Sequence, residues 1–122
     1  MMGGEGGFHL FTYGTLRSGG GAPHELLGGC RKVAEGVAKG ALYDLGAFPA
    51  LLLSGSEPVP GEIWWCPASK LAALDAYEGV DEGLFRRAAV RVGEYTCWVY
   101  VAGPRLGPRL LPSALVRHAD RP

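Results

Sequence analysis

The sequence predicts an α+β domain with one mostly antiparallel sheet that curls towards a barrel and short flanking helices. Short runs of aromatic and branched residues recur between Gly- and Pro-rich turns, as strands do. Alternating runs at 87–92 and 95–101 surround a turn at Gly93-Glu94, which predicts a β-hairpin. Only residues 67–79 have the composition of a real helix. Because the strands do not alternate with helices, the pattern argues against a doubly wound parallel sheet.

The first half of the chain holds three predicted strands separated by turn residues. An aromatic and branched run at 8–12 predicts the first strand, and residues 22–29 can form one helical turn that ends in glycine. A second strand is expected at 40–45. The Ser, Gly and Pro content of residues 54–60 is typical of an exposed loop, and a third strand follows at 59–66.

The chain length of 122 residues predicts a single domain with its own core. Residues 1–7 are rich in glycine and are expected to form a flexible leader. We expect the domain to span residues 8–102. Residues 103–122, which contain several prolines, are expected to form a C-terminal tail.

Charge and hydropathy argue against several function classes. Twelve basic and twelve acidic side chains cancel, so no overall field would draw the protein to nucleic acid or to an anionic membrane. No signal peptide is evident, and no apolar run approaches the roughly 18 residues that a membrane span needs. The sequence therefore predicts a soluble, cytoplasmic protein without nucleic-acid or membrane partners.

The cysteines and histidines do not predict a metal site. Cys30, Cys66 and Cys97 are odd in number and form no C-x-x-C pair, which argues against a disulfide framework or a zinc site. The three histidines have no ligand spacing. We therefore expect neither a metal nor a cofactor.

The turn that follows the first predicted strand is a candidate binding site for a small acid. Gly14 lets the backbone turn without a Cβ clash. The amides of Thr15 and Leu16 can then point into a concave turn, where unpaired N–H groups bind carboxylates or phosphates. An ordinary exit from strand to loop is the alternative interpretation.

Glu78 is the candidate general acid/base. It shares a helical face with Leu71 and Leu74, so its carboxylate is expected near the core, at the end of the helix before Gly79. Partial burial and the negative end of the helix dipole both disfavour ionisation, so its pKa should be raised. Such a carboxylate suits proton transfer near neutral pH. The alternative is that Glu78 reaches past the helix end into solvent.

The chain resembles the γ-glutamylcyclotransferase-like family, which includes γ-glutamylamine cyclotransferases and plant AIG2-like proteins. The resemblance covers roughly residues 8–102 and rests on motifs that occur in order: Tyr13-Gly14-Thr15-Leu16-Arg17, Gly40-x-Leu42-Tyr43-Asp44, Phe48-Pro49, Gly61-Glu62-Ile63-Trp64, Leu74-Asp75-x-Tyr77-Glu78-Gly79 and Phe85-Arg86-Arg87. It implies a compact mixed β-barrel with short flanking helices and a pocket at one end.

The resemblance also implies an activity and a set of site residues. Glu78 would be the catalytic acid/base, and the substrate-binding loop would comprise Tyr13, Gly14, Thr15 and Leu16. The enzyme, of transferase or lyase type, would cyclise a γ-glutamyl amine or γ-glutamyl amino acid to 5-oxoproline and release the amine. The alternative is a non-catalytic binding module for a small carboxylate or amino-acid derivative.

Three points stay open at this level. Phe85 stands where the family often has tyrosine, so a phenol hydroxyl is lost there. If Glu78 is not the base, Glu62 and Asp44 are the alternatives. The sequence specifies neither the leaving amine nor the oligomeric state.

Overall fold

The computed structural model describes residues 6–14 and 24–117. Five strands form its framework: β1 (Gly7–Thr12), β2 (Arg31–Asp44), β3 (Pro49–Pro67), β4 (Phe85–Val92) and β5 (Tyr95–Ala102). One α-helix, α1 (Leu71–Tyr77), joins β3 to β4. Short 3-10 helices lie at His24–Leu27, Ala68–Lys70, Pro104–Arg109 and Pro112–Ala114. No helix in the described ranges is long and apolar enough to cross a membrane.

The strands form a single mixed sheet in the order β2-β3-β1-β5-β4. Every pairing is antiparallel except that of β1 with β5, which confirms the α+β, mostly antiparallel prediction. The expected barrel needs a correction, because the described parts of the edge strands β2 and β4 form no ladder. The Val92 side chain instead approaches the backbone of β2 at Gly36, where an added Cβ would lie 2.6 Å from Cγ1 of Val92. The sheet curls but does not close.

β3 replaces the loop expected at residues 54–60, so that prediction is largely wrong. Residues 57–60 pair with β2, as in Gly40 with Glu57 and Val37 with Pro60. The register then jumps to Ala41 opposite Leu52, so residues 53–56 have no strand partner on β2 and form a bulge. Prolines are tolerated next to this bulge because β1 pairs only with the later part of β3, so no second ladder requires their missing N–H groups.

The predicted helix and hairpin are confirmed. A 3-10 turn at Ala68–Lys70 leads into α1. At the other end of the helix, the Glu78 amide donates to the Leu74 carbonyl at 3.0 Å, and the following Gly79 has a φ of 67°. That left-handed conformation explains why the helix ends at a glycine. Gly93 has a φ of 58° in the turn between β4 and β5, as short hairpin turns require.

Two apolar clusters lie on opposite faces of the sheet, because alternate residues of a strand point to opposite sides. One cluster draws on all five strands and fills the inside of the curl around Phe11, Ile63 and Val99. The other lies under α1, where Leu74 is fully buried against the sheet. The helix end is thereby fixed relative to the strands.

Residues 103–117 also pack on the sheet. Leu106 is only 2% exposed and belongs to the cluster under α1. Leu115 bridges to Tyr43, and the Val116 amide donates to the Leu42 carbonyl at 2.8 Å. The described part of the segment expected to be a tail therefore packs on the core, and its residues 115–116 lie beside the end of β2.

Candidate active site

A cavity of about 340 Å³ opens where five segments of the chain converge. Residues 11–14 at the end of β1 and residues 47–49 before β3 line two of its sides. Tyr77 and Glu78 at the end of α1, Leu84 and Phe85 at the start of β4, and Tyr100 of β5 complete the lining. The size is in the range of small-molecule sites. The cavity therefore contains Glu78 together with the start of the turn singled out in the sequence.

Glu78 is partly buried at the C-cap of α1, and burial raises the pKa of its carboxyl to about 7. Within the described ranges, no lysine, arginine or histidine forms a salt bridge with it. The cost of desolvating the charge is therefore not offset by a cation. Near neutral pH such a carboxyl can both accept and return a proton.

Tyr13 is fixed in the cavity wall by two hydrogen bonds. Its hydroxyl donates to the Tyr100 carbonyl and accepts from the Leu51 amide at 3.2 Å. Burial raises the pKa of Tyr13, and the nearby charge of Glu78 raises it further. Because its proton is already engaged and held tightly, Tyr13 anchors the turn in this structure and is not placed to supply a proton.

Gly14 lies at a close approach to Pro49, and its φ is not in the left-handed region. A Cβ at this position would lie 3.1 Å from Cγ of Pro49, across the cavity rim. Thr15 and Leu16 lie outside the described residues. The amide cup that the sequence suggests at these two positions therefore stays a prediction.

Asp75 links α1 to the sheet one turn before Glu78. Its Oδ1 accepts from the Tyr100 hydroxyl at 2.7 Å and from Nε of Arg87 at 2.8 Å. The Arg87 guanidinium in turn lies over the Trp98 ring, 4.7 Å from its centroid. Burial is the main cause that raises the pKa of Tyr100, followed by its bond to Asp75. These contacts fix the end of α1, and so the position of Glu78.

Sequence reasoning missed the role of this network. In the sequence, Asp75 was recognised only as a member of a motif. Asp75 is three residues before Glu78, so the two side chains occupy neighbouring positions on one face of the helix. Tyr100 stood in the alternating hairpin pattern, where a core tyrosine and a cavity-lining one are indistinguishable. The pairing of Asp75 with Tyr100 spans 25 residues of sequence and needs the folded chain to become visible.

Phe48 and Phe85, which we call the aromatic wall, form an apolar side of the cavity. Their ring centroids are 5.6 Å apart and the planes are inclined by 60°, an edge-to-face type of contact. Phe85 is 8% exposed. Phe85 therefore places a hydrocarbon ring against Phe48 on this side of the cavity.

The two alternative bases do not line the cavity. Glu62 is 8% exposed, accepts from Nε1 of Trp64 at 3.1 Å and lies 3.3 Å from Nζ of Lys32. Asp44 is exposed and accepts from the Gly46 amide at 2.9 Å. Their contacts support a structural role for Glu62 and a turn-stabilising role for Asp44.

Known proteins resemble this chain over most of its length. The family described as "Gamma-glutamyl cyclotransferase, AIG2-like" matches residues 10–116. A curated protein of Vibrio cholerae serotype O1, named "Putative gamma-glutamylcyclotransferase", is 36% identical over 94 residues, which cover 75% of this chain and 79% of that protein.

Solved structures share the fold. A mouse AIG2-like protein has a TM-score of 0.70 at 25% identity, over 95% of this chain and 88% of the mouse chain. A protein specific to uropathogenic E. coli has a TM-score of 0.74 at 19% identity, over 94% and 91% of the two chains. A structure named "Gamma-glutamyl cyclotransferase" has a TM-score of 0.57 at 19% identity, over 80% and 67%.

Proposed function

The chain belongs to the gamma-glutamyl cyclotransferase, AIG2-like family, and from that premise we propose that it converts a γ-glutamyl amine or γ-glutamyl amino acid to 5-oxoproline and a free amine. The observation that carries the proposal is Glu78, whose carboxyl has a pKa of about 7 and lies in the same cavity as Tyr13 and Gly14. A perturbed carboxyl in a cavity of ligand size favours acid–base catalysis.

In the proposed reaction, the substrate's α-carboxylate binds at residues 13–16, the predicted substrate-binding loop. Glu78 removes a proton from the α-ammonium, and the freed lone pair attacks the γ-carbonyl carbon. A new C–N bond closes the five-membered ring and gives a tetrahedral intermediate. Glu78 then returns its proton to the departing nitrogen as the old C–N bond breaks. The ring nitrogen loses its second proton, which ends on the released amine as its ammonium form. The result is one molecule of 5-oxoproline and one of amine, with no net proton gained or lost.

The pKa of Glu78 suits both proton transfers. An α-ammonium group has a pKa of about 8 in water, whereas the Glu78 carboxyl has a pKa of about 7. The first transfer is therefore uphill by only about 1.4 kcal/mol. An ordinary glutamate, with a pKa near 4.3, would face a much larger cost. Because nucleophile and electrophile belong to one molecule, the rest of the task is to hold the folded conformer.

The test is a screen for 5-oxoproline. Purified protein is incubated with a panel of γ-glutamyl amines and γ-glutamyl amino acids, and both products are quantified by mass spectrometry. Glu78→Gln is measured beside Glu94→Gln, a matched control on the exposed turn between β4 and β5. We expect turnover by the wild type and by the control, and a steep loss in Glu78→Gln.

Two results would contradict the proposal. Equal turnover by Glu78→Gln and the wild type would place the base elsewhere. The other is a wild type that forms no 5-oxoproline from any substrate. If such a protein still gains thermal stability from the γ-glutamyl compounds, the cavity belongs to a binding module.

A further inference from the structure

The cavity is asymmetric in its chemistry. Among its described lining residues, Glu78 is the only one that carries a full charge, and no lysine or arginine lines it. The aromatic wall and its neighbours Ala47 and Leu84 are apolar. If the proposed function holds, Tyr13, Gly14 and Glu78 lie on the side of the cavity that engages the glutamyl part of the substrate. The departing amine is then left with the apolar side.

Arg109 contacts the aromatic wall from outside the cavity. Its Nη2 donates to the Leu45 carbonyl at 2.7 Å. Its guanidinium carbon lies 5.8 Å from the centroid of the Phe48 ring, close enough for a cation–π interaction. Arg109 itself does not line the cavity. One side chain thus holds both the backbone and the ring of the segment that carries Phe48.

The segment from Leu45 to Phe48 is a closed turn that Arg109 can fix as a unit. The Leu45 amide donates to the Phe48 carbonyl at 3.0 Å, and Leu45 is almost fully buried. The 3-10 helix that carries Arg109 is itself anchored, because Leu106 packs into the core. The position of Phe48 therefore depends on the C-terminal segment.

We propose that the leaving group places an apolar substituent against Phe48 and Phe85, and that Arg109 positions this wall without touching substrate. This inference rests on the proposed function and adds its substrate class: γ-glutamyl compounds whose amine carries an aliphatic or aromatic group. It also makes Arg109 a positioning residue for specificity.

Charge supports the same substrate class. A leaving group with a terminal ammonium would approach a wall that has a guanidinium behind it, and the described lining offers no carboxylate except the one assigned to proton transfer. Burying such an ammonium without a partner is costly. An aliphatic chain of the same length meets no such penalty and gains from apolar contact.

The first experiment compares two substrates that differ in one group. γ-Glutamyl-n-pentylamide and γ-glutamyl-1,4-diaminobutane have side chains of equal length, and the second ends in an ammonium. We expect kcat/KM to favour the pentylamide by about tenfold or more. Phe48→Ala should erase most of this preference. Equal rates, or a preference for the diamine, would overturn the proposed substrate class.

The second experiment isolates Arg109. Arg109→Met keeps the hydrocarbon stem and removes the hydrogen bond and the charge. Arg105→Met is the matched control, because Arg105 lies on the same 3-10 helix and contacts the Glu82 carbonyl instead. We expect Arg109→Met to raise KM for the pentylamide about three- to tenfold, while kcat and the pH dependence of kcat change little. Arg105→Met should match the wild type.

Hydrogen exchange provides a readout that does not depend on turnover. Loss of the Arg109 contact should speed exchange of the Leu45 amide, which closes the turn, and leave the α1 amides unchanged. Unchanged exchange and unchanged KM in Arg109→Met would refute the positioning role. A wild type without activity would refute the proposed function, and the exchange data would still decide whether Arg109 holds the wall.

Discussion

Glu78 ends α1 beside the cavity, and burial there raises the pKa of its carboxyl to about 7. If this group is the general base, its carboxylate form limits the rate at low pH. We expect kcat/KM to fall about tenfold per pH unit below pH 7. Glu78→Gln should lose about 10²–10⁴-fold in turnover, near the upper end because the group acts twice. A pH–rate profile of 5-oxoproline formation measures both effects.

The same carboxyl makes a prediction about stability. Its folded pKa lies above the unfolded value of 4.5, so protons bind more tightly to the folded state. The stabilising effect of protonation is fully present below pH 4.5 and is lost as the pH rises through 7. Above pH 7 the buried charge costs at most about 3 kcal/mol. Glu78→Gln removes that cost.

Chemical denaturation at two pH values measures this difference. At pH 8, Glu78→Gln should be more stable than the wild type, and at pH 4.5 the two proteins should be nearly equal. Glu94→Gln, at an exposed position, should show no such trend. A stability gain that is the same at both pH values would mean that the ionisation of Glu78 is not responsible.

At the scale of elements, Asp75 is the contact that fixes α1 against β4 and β5. Asp75→Asn keeps the size but removes the charge that Arg87 pairs with, and Tyr100→Phe removes the hydroxyl donor. Because both changes break one network, their effects on the free energy of unfolding should not add. We expect a coupling energy of about 0.5–2 kcal/mol in the double-mutant cycle.

Catalytic turnover by Asp75→Asn and Tyr100→Phe should also show whether α1 is displaced. A shifted helix end misplaces Glu78, so both single variants should reduce kcat more than their loss of stability explains. The matched control is Tyr95→Phe. Tyr95 lies on the same strand, β5, but does not line the cavity. Additive stability effects together with full activity would show that the network does not position the helix.

The elements that the sequence predicted well are those with local signals. Gly79 and Gly93 adopt left-handed conformations that end the helix and form the hairpin turn, and glycine is the residue that such positions favour. The strand predicted at 59–66 is the second half of β3, and the first half was missed because Ser, Gly and Pro at 54–60 are typical of loops. Here the pairing with β2 and the bulge at 53–56 override that local preference.

The residues at the cavity and around it also divide into those with a local sequence signal and those without one. Glu78 and Tyr13 could be found, because one breaks an apolar helical stripe, the other begins a glycine turn, and both belong to the motifs of the family resemblance. Arg109 and Asp75 could not be assigned a role, because their partners lie 64 and 12 residues away in sequence. Contacts at such separation are set by the tertiary fold and leave no periodic pattern.

At the scale of the whole molecule, both faces of the open sheet have to be covered, and the C-terminal segment provides part of that cover. The sheet curls until Val92 of β4 meets the backbone of β2 at Gly36, and this contact leaves no room for a larger residue. The outer face still needs cover, which α1 provides in part. Residues 103–117 complete it, since Leu106 and Leu110 pack against the same cluster as Leu74.

This arrangement predicts that the C-terminal segment belongs to the cooperative folding unit. Leu106 is 2% exposed and Leu111 is 55% exposed, which makes them a matched pair on one segment. Leu106→Ala should cost about 2–5 kcal/mol by removing buried methyl groups and leaving a cavity. Leu111→Ala should stay within about 0.5 kcal/mol of the wild type. Urea unfolding followed by both tryptophan fluorescence and circular dichroism measures the loss and tests for a single transition. Equal stability of the two variants, or a separate early transition in Leu106→Ala, would mean that residues 103–117 fold independently of the sheet.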